Sequence, residues 1–284
     1  MKQLLLLSGK GGTGKTTVAT GLIQLSQAKA YADCDVDAPN LHLVLGTFDN
    51  HATKPYYDLP KAVIDPIRCT ECGLCYQVCR FDAIAENPYR VIPHLCEGCT
   101  FCTHVCPAGA IALEETVAGT IELHTRGDET FSTATLKMGS GTTGLLVTEV
   151  KKQIKDKAEF AILDGSPGIG CPVIASLTGV DLVLMVAEPS LSGISDLKRV
   201  IQNARQLQVP ICVIVNKSDV NEELTERIRH YCAKEALPFL GTIPYDREAV
   251  AAINSGQSLI ERGGPASEAI QEIYHKVMKE LEAL

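Results

Sequence analysis

Two groups of residues in this chain have the types and spacing to do chemistry. The first is a concentration of sulfur. Eight of the twelve cysteines form two runs, Cys69, Cys72, Cys75, Cys79 and Cys96, Cys99, Cys102, Cys106. Each run reads C-x2-C-x2-C-x3-C, and an offset of 27 residues carries one onto the other and Ile84 onto Ile111. A disulfide framework would scatter its cysteines, and a reducing compartment keeps thiols free, so this clustering implies thiolate ligation of metal. Two zinc sites are the alternative, although zinc usually pairs C-x2-C hooks across a longer gap. The second group would hold an anion. Gly9-Lys10-Gly11-Gly12-Thr13-Gly14-Lys15-Thr16 fits G-x-x-x-x-G-K-[ST]. Its glycines let successive backbone N–H groups face one phosphate, and the following helix adds its positive end. Lys15 would reach the β and γ phosphates and the Thr16 hydroxyl would hold Mg²⁺. Gly11, Gly12, Thr13, Gly14, Lys15, Thr16 and Thr17 are therefore the expected nucleotide contacts.

The elements around these groups must place them. Residues 3–8 read as an apolar strand before the glycine loop, and 16–28 as the helix after it. Residues 30–34 form a short strand ending in acidic residues, and 160–163, 182–186 and 211–215 are Val/Ile/Leu runs without alternation. Such runs suit parallel strands buried on both faces. Helical stretches at 144–155, 192–206 and 222–235 alternate with them, followed by a strand at 239–243 and an amphipathic helix at 267–284. Repeated β-α units predict an α/β fold with a doubly wound parallel sheet. Residues 58–114 break the rhythm, being rich in Cys, Pro and short turns, and 116–131 read as a hairpin with Gly119 and Gly127 available for turns. The expected organisation is an α/β domain of residues 1–57 and 115–284 carrying a small α+β domain of 58–114.

Composition narrows the setting. The 284 residues are 45% hydrophobic and 21% charged, which excludes a disordered chain. Lys plus Arg is 26 against 34 Asp plus Glu, a net charge of −8, which argues against nucleic acid as a partner. No run approaches a membrane span, and the apolar residues 4–7 are too few for a signal peptide, so the cytoplasm is expected. The closing helix carries Glu268, Glu272, Glu280 and Glu282 against Lys276 and Lys279, unlike a basic membrane-docking helix.

Two family resemblances sharpen these readings. The cysteine runs, the second followed by Pro107, resemble bacterial ferredoxins, in which three thiolates of one run and the last thiolate of the other hold each cubane. The resemblance implies one [4Fe–4S] cluster on Cys69, Cys72, Cys75 and Cys106, and another on Cys96, Cys99, Cys102 and Cys79. Gly73 and Gly98 would let the backbone turn close to sulfide. Arg80 stands where the other run has Pro107, a departure that would add charge near one cluster without removing a ligand. His94 and His104 flank the ligands as surface or supporting residues.

Lys10, early in the loop, resembles the deviant Walker A of the MinD/ParA/Mrp and nitrogenase iron-protein ATPases. There the extra lysine crosses a dimer interface to the partner's nucleotide; a solvated surface lysine is the alternative. Asp33-Cys34-Asp35-Val36-Asp37 resembles the family's first switch. Asp35 would orient the attacking water, while Asp33 and Asp37 would serve Mg²⁺ or cap the loop. Ile162-Leu163-Asp164-Gly165-Ser166-Pro167-Gly168 resembles the Walker B strand and second switch. Asp164 would hold a Mg²⁺-bound water and the Gly168 backbone would sense the γ phosphate. Asn216-Lys217-Ser218-Asp219 reads as the guanine-selecting N-K-x-D, whereas the same strand end in MinD-like proteins offers Asn216 to adenine. Lys10 favours ATP. Cys171, after the second switch, is either an intersubunit site or a small buried hydrophobe, and Cys34, Cys212 and Cys232 are buried hydrophobes.

The resemblance covers essentially the whole chain. It implies a nucleotide-dependent homodimer with ATP, Mg²⁺ and two [4Fe–4S] clusters, and a redox partner or metalloprotein client. Its activity would be slow ATP hydrolysis, with Lys10, Lys15, Asp35 and Asp164 as the catalytic set. Coupling of dimer switching to electron transfer is the leading function; ATP-dependent maturation of a metal or iron-sulfur cofactor is the alternative. Positioning within the cell lacks a basic surface or membrane tail.

Overall fold

The computed structural model describes Met1–Leu284. In chain order the elements begin β1 (Lys2–Leu7), α1 (Lys15–Ser26), β2 (Ala30–Asp33), β3 (Asn50–Tyr57), β4 (Lys61–Ile64), α2 (Leu74–Val78), β5 (Ile84–Ala85), β6 (Arg90–Val91), α3 (Phe101–Val105) and β7 (Ile111–Glu114). They continue β8 (Val117–Arg126), β9 (Glu129–Leu136), α4 (Thr143–Ile154), β10 (Phe160–Asp164), α5 (Cys171–Leu177), β11 (Leu182–Ala187) and α6 (Leu191–Gln206). The last are β12 (Ile211–Asn216), α7 (Glu222–Lys234), β13 (Phe239–Ile243), α8 (Glu248–Asn254), α9 (Leu259–Arg262) and α10 (Pro265–Glu282). The chain divides into two compact units, one of residues 1–53, 121–135 and 144–284, the other of 54–120 and 136–143. The 58–114 span read from the sequence falls inside the second.

The larger unit is built on a nine-stranded sheet in the order β13-β12-β11-β1-β10-β2-β9-β8-β3. Strand β1 lies parallel between β10 and β11, with Leu4 opposite both Ile162 and Leu182. Leu4 to Leu7 are all at most 1% exposed, as expected for a strand covered on both faces. The strand order reverses beside β1, which opens a crevice at its carboxyl end for the loop that follows. Helix α10 closes the unit with Ala266, Ile270, Ile273, Val277 and Leu281 buried, the stripe that a 3.6-residue period puts on one face. Its first helical residue is Pro265, whose missing N–H costs nothing there. Strands β8 and β9 form the expected hairpin, turning at Gly127 (φ 56°), but Gly119 lies inside β8 and makes no turn.

The smaller unit repeats itself. Adding 27 to α2 gives α3 residue for residue, and likewise β4 overlaps β6 and β5 falls in β7. Strand β4 pairs antiparallel with β7 and β5 with β6. The first strand of each half therefore pairs with the last strand of the other, so neither half closes a sheet alone.

Candidate functional site

In the larger unit, α1 starts directly after the glycine loop. Gly14 precedes it at φ 89°, and a Cβ there would strike Asn216 Nδ2, so both conformation and space demand glycine. Gly11, Gly12, Thr13, Gly14, Lys15, Thr16 and Thr17 line a cavity of about 640 Å³ together with Asp35, Asn216, Pro244 and Tyr245. That is the size of a small-ligand or cofactor site. Thr13 Oγ1 is buried there without a hydrogen-bond partner, a polar atom that a ligand can satisfy.

Asp164, fully buried at the end of β10, ties the floor together. Lys15 Nζ donates to its Oδ1 at 2.5 Å and Thr16 Oγ1 to its Oδ2 at 2.7 Å. A carboxylate and a hydroxyl thus meet beside the phosphate lysine, the hard oxygen donors that Mg²⁺ takes along with phosphate. Asp33 accepts from the backbone N–H of Asp35 (3.0 Å), Asn40 (2.9 Å) and Leu41 (2.9 Å). It caps the loop rather than facing the cavity, and burial, then the neighbouring Asp164 carboxylate, push its carboxyl up to about 7. Asp35 stands half-buried in the cavity wall, its carboxyl likewise raised by burial. Asp37 is exposed and lines the same wall.

Three expected contacts, Lys10, Asp164 and Gly168, lie outside the lining, Asp164 beneath it. Lys10 sits at the rim, donating to Ser190 Oγ at 3.1 Å and pairing with Glu188 at 3.5 Å. Gly168, at φ 97°, donates its N–H to Ser8 O at 3.0 Å, and contact with a phosphate requires that bond to open. Asn216 Nδ2 donates to Thr13 O (2.7 Å) and Lys217 Nζ to Gly12 O (2.8 Å), so both brace the glycine loop. Asp219 accepts from Tyr245 N at 2.6 Å and does not line the cavity. Sequence reasoning missed Pro244 and Tyr245, whose only signal was their place after the last parallel strand, and Ser190 and Glu188, which nothing in the motifs marked.

The smaller unit gathers cysteines. Cys79 of the first run shares an apolar-walled cavity with Cys96, Cys99 and Cys102 of the second, among Phe81, Ile84, Phe101 and Leu113. Cys75 is buried, and burial raises its thiol, with Cys69 and Cys72 close enough to add to the effect. The 27-residue symmetry extends to the sulfur contacts. Ala83 N–H donates to Cys79 Sγ (3.4 Å) and Ala110 N–H to Cys106 Sγ (3.3 Å). It extends to the left-handed turns as well. Glu71 (φ 55°) corresponds to Gly98 (φ 63°), Gly73 (φ 73°) to Thr100 (φ 67°), and Asp82 (φ 50°) to Gly109 (φ 55°). Gly73 and Gly98 are thus at different places in their halves, each opposite a non-glycine residue in the same conformation.

The remaining candidates are dispersed. Arg80, His94 and His104 are exposed. Cys34, Cys212 and Cys232 are buried, as read from the sequence. Cys171 is exposed and not a buried hydrophobe, because Gly170 and Pro172 start α5 at the surface there.

A parallel sheet with a glycine loop, a lysine at its end and a Thr–Asp pair beneath it defines a P-loop nucleotide-binding protein. Residues 4–260 match the CobQ/CobB/MinD/ParA nucleotide binding domain, and the chain belongs to that family. An uncharacterised protein of Methanocaldococcus jannaschii is 32% identical over 97% of this chain and 96% of its own length. A Pyrococcus abyssi protein named iron-sulfur cluster carrier protein is 23% identical over 99% of this chain and 87% of its own. Among solved structures, the septum site-determining protein MinD of Pyrococcus horikoshii, complexed with Mg-ADP, superposes with a TM-score of 0.60. It shares 19% identity over 97% of this chain and 95% of that one, a likeness of fold. No helix is long and apolar enough to cross a membrane.

Proposed function

We propose that this chain is an ATP-hydrolysing switch, paired as a homodimer by ATP and Mg²⁺, that couples its nucleotide cycle to electron transfer through two [4Fe–4S] clusters. The observation that carries the reading is the crossed cysteine arrangement, with Cys79 in one cavity with Cys96, Cys99 and Cys102. Four thiols among apolar walls, with a backbone N–H donor on Cys79 Sγ, suit a cubane. By the internal symmetry Cys106 completes the set of Cys69, Cys72 and Cys75. Such clusters supply one-electron chemistry. All eight thiols are then committed, which favours relay over a cluster held for delivery. The chain's own part is to bind phosphate through Gly11 to Thr17, hold Mg²⁺ with Thr16 and Asp164, and orient water with Asp35. Adenine is favoured over guanine because Asn216 lines the cavity whereas Asp219, the guanine-selecting carboxylate, lies outside it.

One finding favours the second reading, maturation of a metal or iron-sulfur cofactor: a relative matched over 99% of this chain and 87% of its own length carries the name iron-sulfur cluster carrier protein. The two readings part in a single experiment on anaerobic holoprotein. Asp35→Ala should keep ATP affinity within about threefold and lose turnover by about 10²-fold or more, the expected worth of a positioned water. With that variant held on ATP, reoxidation of reduced protein by a one-electron acceptor should change rate while protein-bound iron stays constant. ATP-dependent loss of iron to an apo-metalloprotein, with no change in reoxidation, would replace the first reading by the second.

A further inference from the structure

A third group of side chains, apart from the phosphate pocket and the cysteines, has metal-binding chemistry. His51 stands on the edge strand β3, and Glu122 and His124 lie two residues apart on the adjacent β8. The period of two along a strand puts Glu122 and His124 on one face. The ligating atoms of all three residues lie within 4.8 Å of one another. His51 Nε2 is 3.1 Å and His124 Nε2 3.4 Å from the same oxygen, Glu122 Oε2. The two imidazoles stack with centroids 4.3 Å apart and planes 3° from parallel.

The two histidines are held differently. His124 packs against the rings of Phe48 and fully buried Phe131, each 5.3 Å away, so apolar contacts fix it. Its Nε2 is buried without a hydrogen-bond partner, because its approach to Glu122 is too poorly aligned to be one. His51 has half of its side chain exposed and opens the group to solvent. A plain His51–Glu122 hydrogen bond accounts for one nitrogen and leaves the buried one unsatisfied. A metal ion satisfies both nitrogens and the carboxylate together once the half-exposed His51 ring turns out of its parallel stack on His124, because an ion lies near the plane of each imidazole that ligates it.

We propose that His51, Glu122 and His124 form a mononuclear site for a divalent first-row transition metal, Zn²⁺ or Fe²⁺, with at least one position open to solvent. Two imidazoles and one carboxylate are donors for either ion. Bonds of about 2.0–2.1 Å put tetrahedral ligand atoms about 3.3 Å apart and those of an octahedral face about 3.0 Å apart. The observed 3.1 and 3.4 Å fall at those separations. Occupation would also cross-link β3 to β8 and so pin an edge strand, which is otherwise prone to fray or to pair elsewhere.

The test uses cluster-loaded protein under anaerobic conditions, with Co²⁺ as the probe. Native protein should bind about one cobalt more than a His51→Ala/His124→Ala variant. That extra ion should show ligand-field bands without thiolate-to-cobalt charge transfer, which separates it from cysteine sites. His51→Ala alone, at a half-exposed position, should weaken the binding by more than about 100-fold, since loss of even an outer partner of a metal ligand costs 10–100-fold. His230→Ala, on α7, should leave it unchanged. Zn²⁺ and Fe²⁺ titrated separately against the bound cobalt identify the preferred ion, and that ion should raise the thermal midpoint of native protein but not of the variants. Equal cobalt binding by native protein and His51→Ala, or bound cobalt showing only thiolate charge transfer, would overturn the site.

Discussion

Lys15→Ala should both abolish useful nucleotide binding and destabilise the free protein. The ammonium makes two expected charge-assisted contacts, to the β and γ phosphates, each worth about 1.5–3 kcal/mol. Their loss corresponds to roughly 10²–10⁴-fold in affinity. The destabilisation has a separate cause. Lys15 and fully buried Asp164 form an ion pair at 2.5 Å, and removing one partner leaves an uncompensated charge in the interior. Such breaks cost about 3–5 kcal/mol. Asp33 lies close enough to feel Asp164, and its carboxyl is already raised to about 7. A carboxyl whose folded-state pKa is raised binds its proton more tightly in the folded chain, so its contribution weakens as pH rises from about 4 through 7. Lys15 pulls the Asp33 carboxyl down, so its removal raises it further, and the Lys15→Ala deficit should be larger at pH 8 than at pH 6. Denaturant unfolding of Lys15→Ala and Lys15→Ala/Asp164→Asn checks the account. The double variant should recover most of the stability and none of the nucleotide affinity; a double variant as unstable as the single one would refute the ion-pair explanation.

Lys10→Ala should leave each chain able to bind ATP yet unable to pair. In the free chain Lys10 rests on Ser190 and Glu188, partly exposed at the cavity rim, a position from which release costs little. If it then reaches the partner's phosphate, a two-fold dimer gains two such contacts. At about 1.5–3 kcal/mol each, losing both weakens ATP-induced dimerisation by roughly 10²–10⁴-fold. Sedimentation of Asp35→Ala with ATP and Mg²⁺, with and without Lys10→Ala, reads this directly. Dimer is expected in the first sample and monomer in the second. The same state in both would remove the lysine from the pairing mechanism.

The parallel core was legible because strands covered on both faces must be continuously apolar, so Leu4 to Leu7 and Leu182 to Ala187 could be little else. The glycine loop was legible because its spacing is set by phosphate. Less could be read of α5, whose seven residues begin with Cys171 and Pro172 and are too few to show a helical period. Gly119 was misplaced for a different reason. A glycine marks a turn only when the chain reverses there, and the ladder between β8 and β9 continues past it to Gly127. The cysteine turns were half legible. Each left-handed position carries glycine in one half and Glu71, Thr100 or Asp82 in the other, so composition showed only one of each pair. His51 and His124 were invisible as a group because 73 residues and a strand pairing separate them.

The claim on which the rest depends is that the doubled cysteine runs hold two cubanes. Protein isolated without oxygen and analysed for metal and acid-labile sulfide tests it most directly. The crossed ligand sets predict about eight iron and eight sulfide per chain, with a broad visible absorbance bleached by dithionite. Stoichiometric zinc without sulfide would contradict the assignment and leave a nucleotide switch with no redox centre to control.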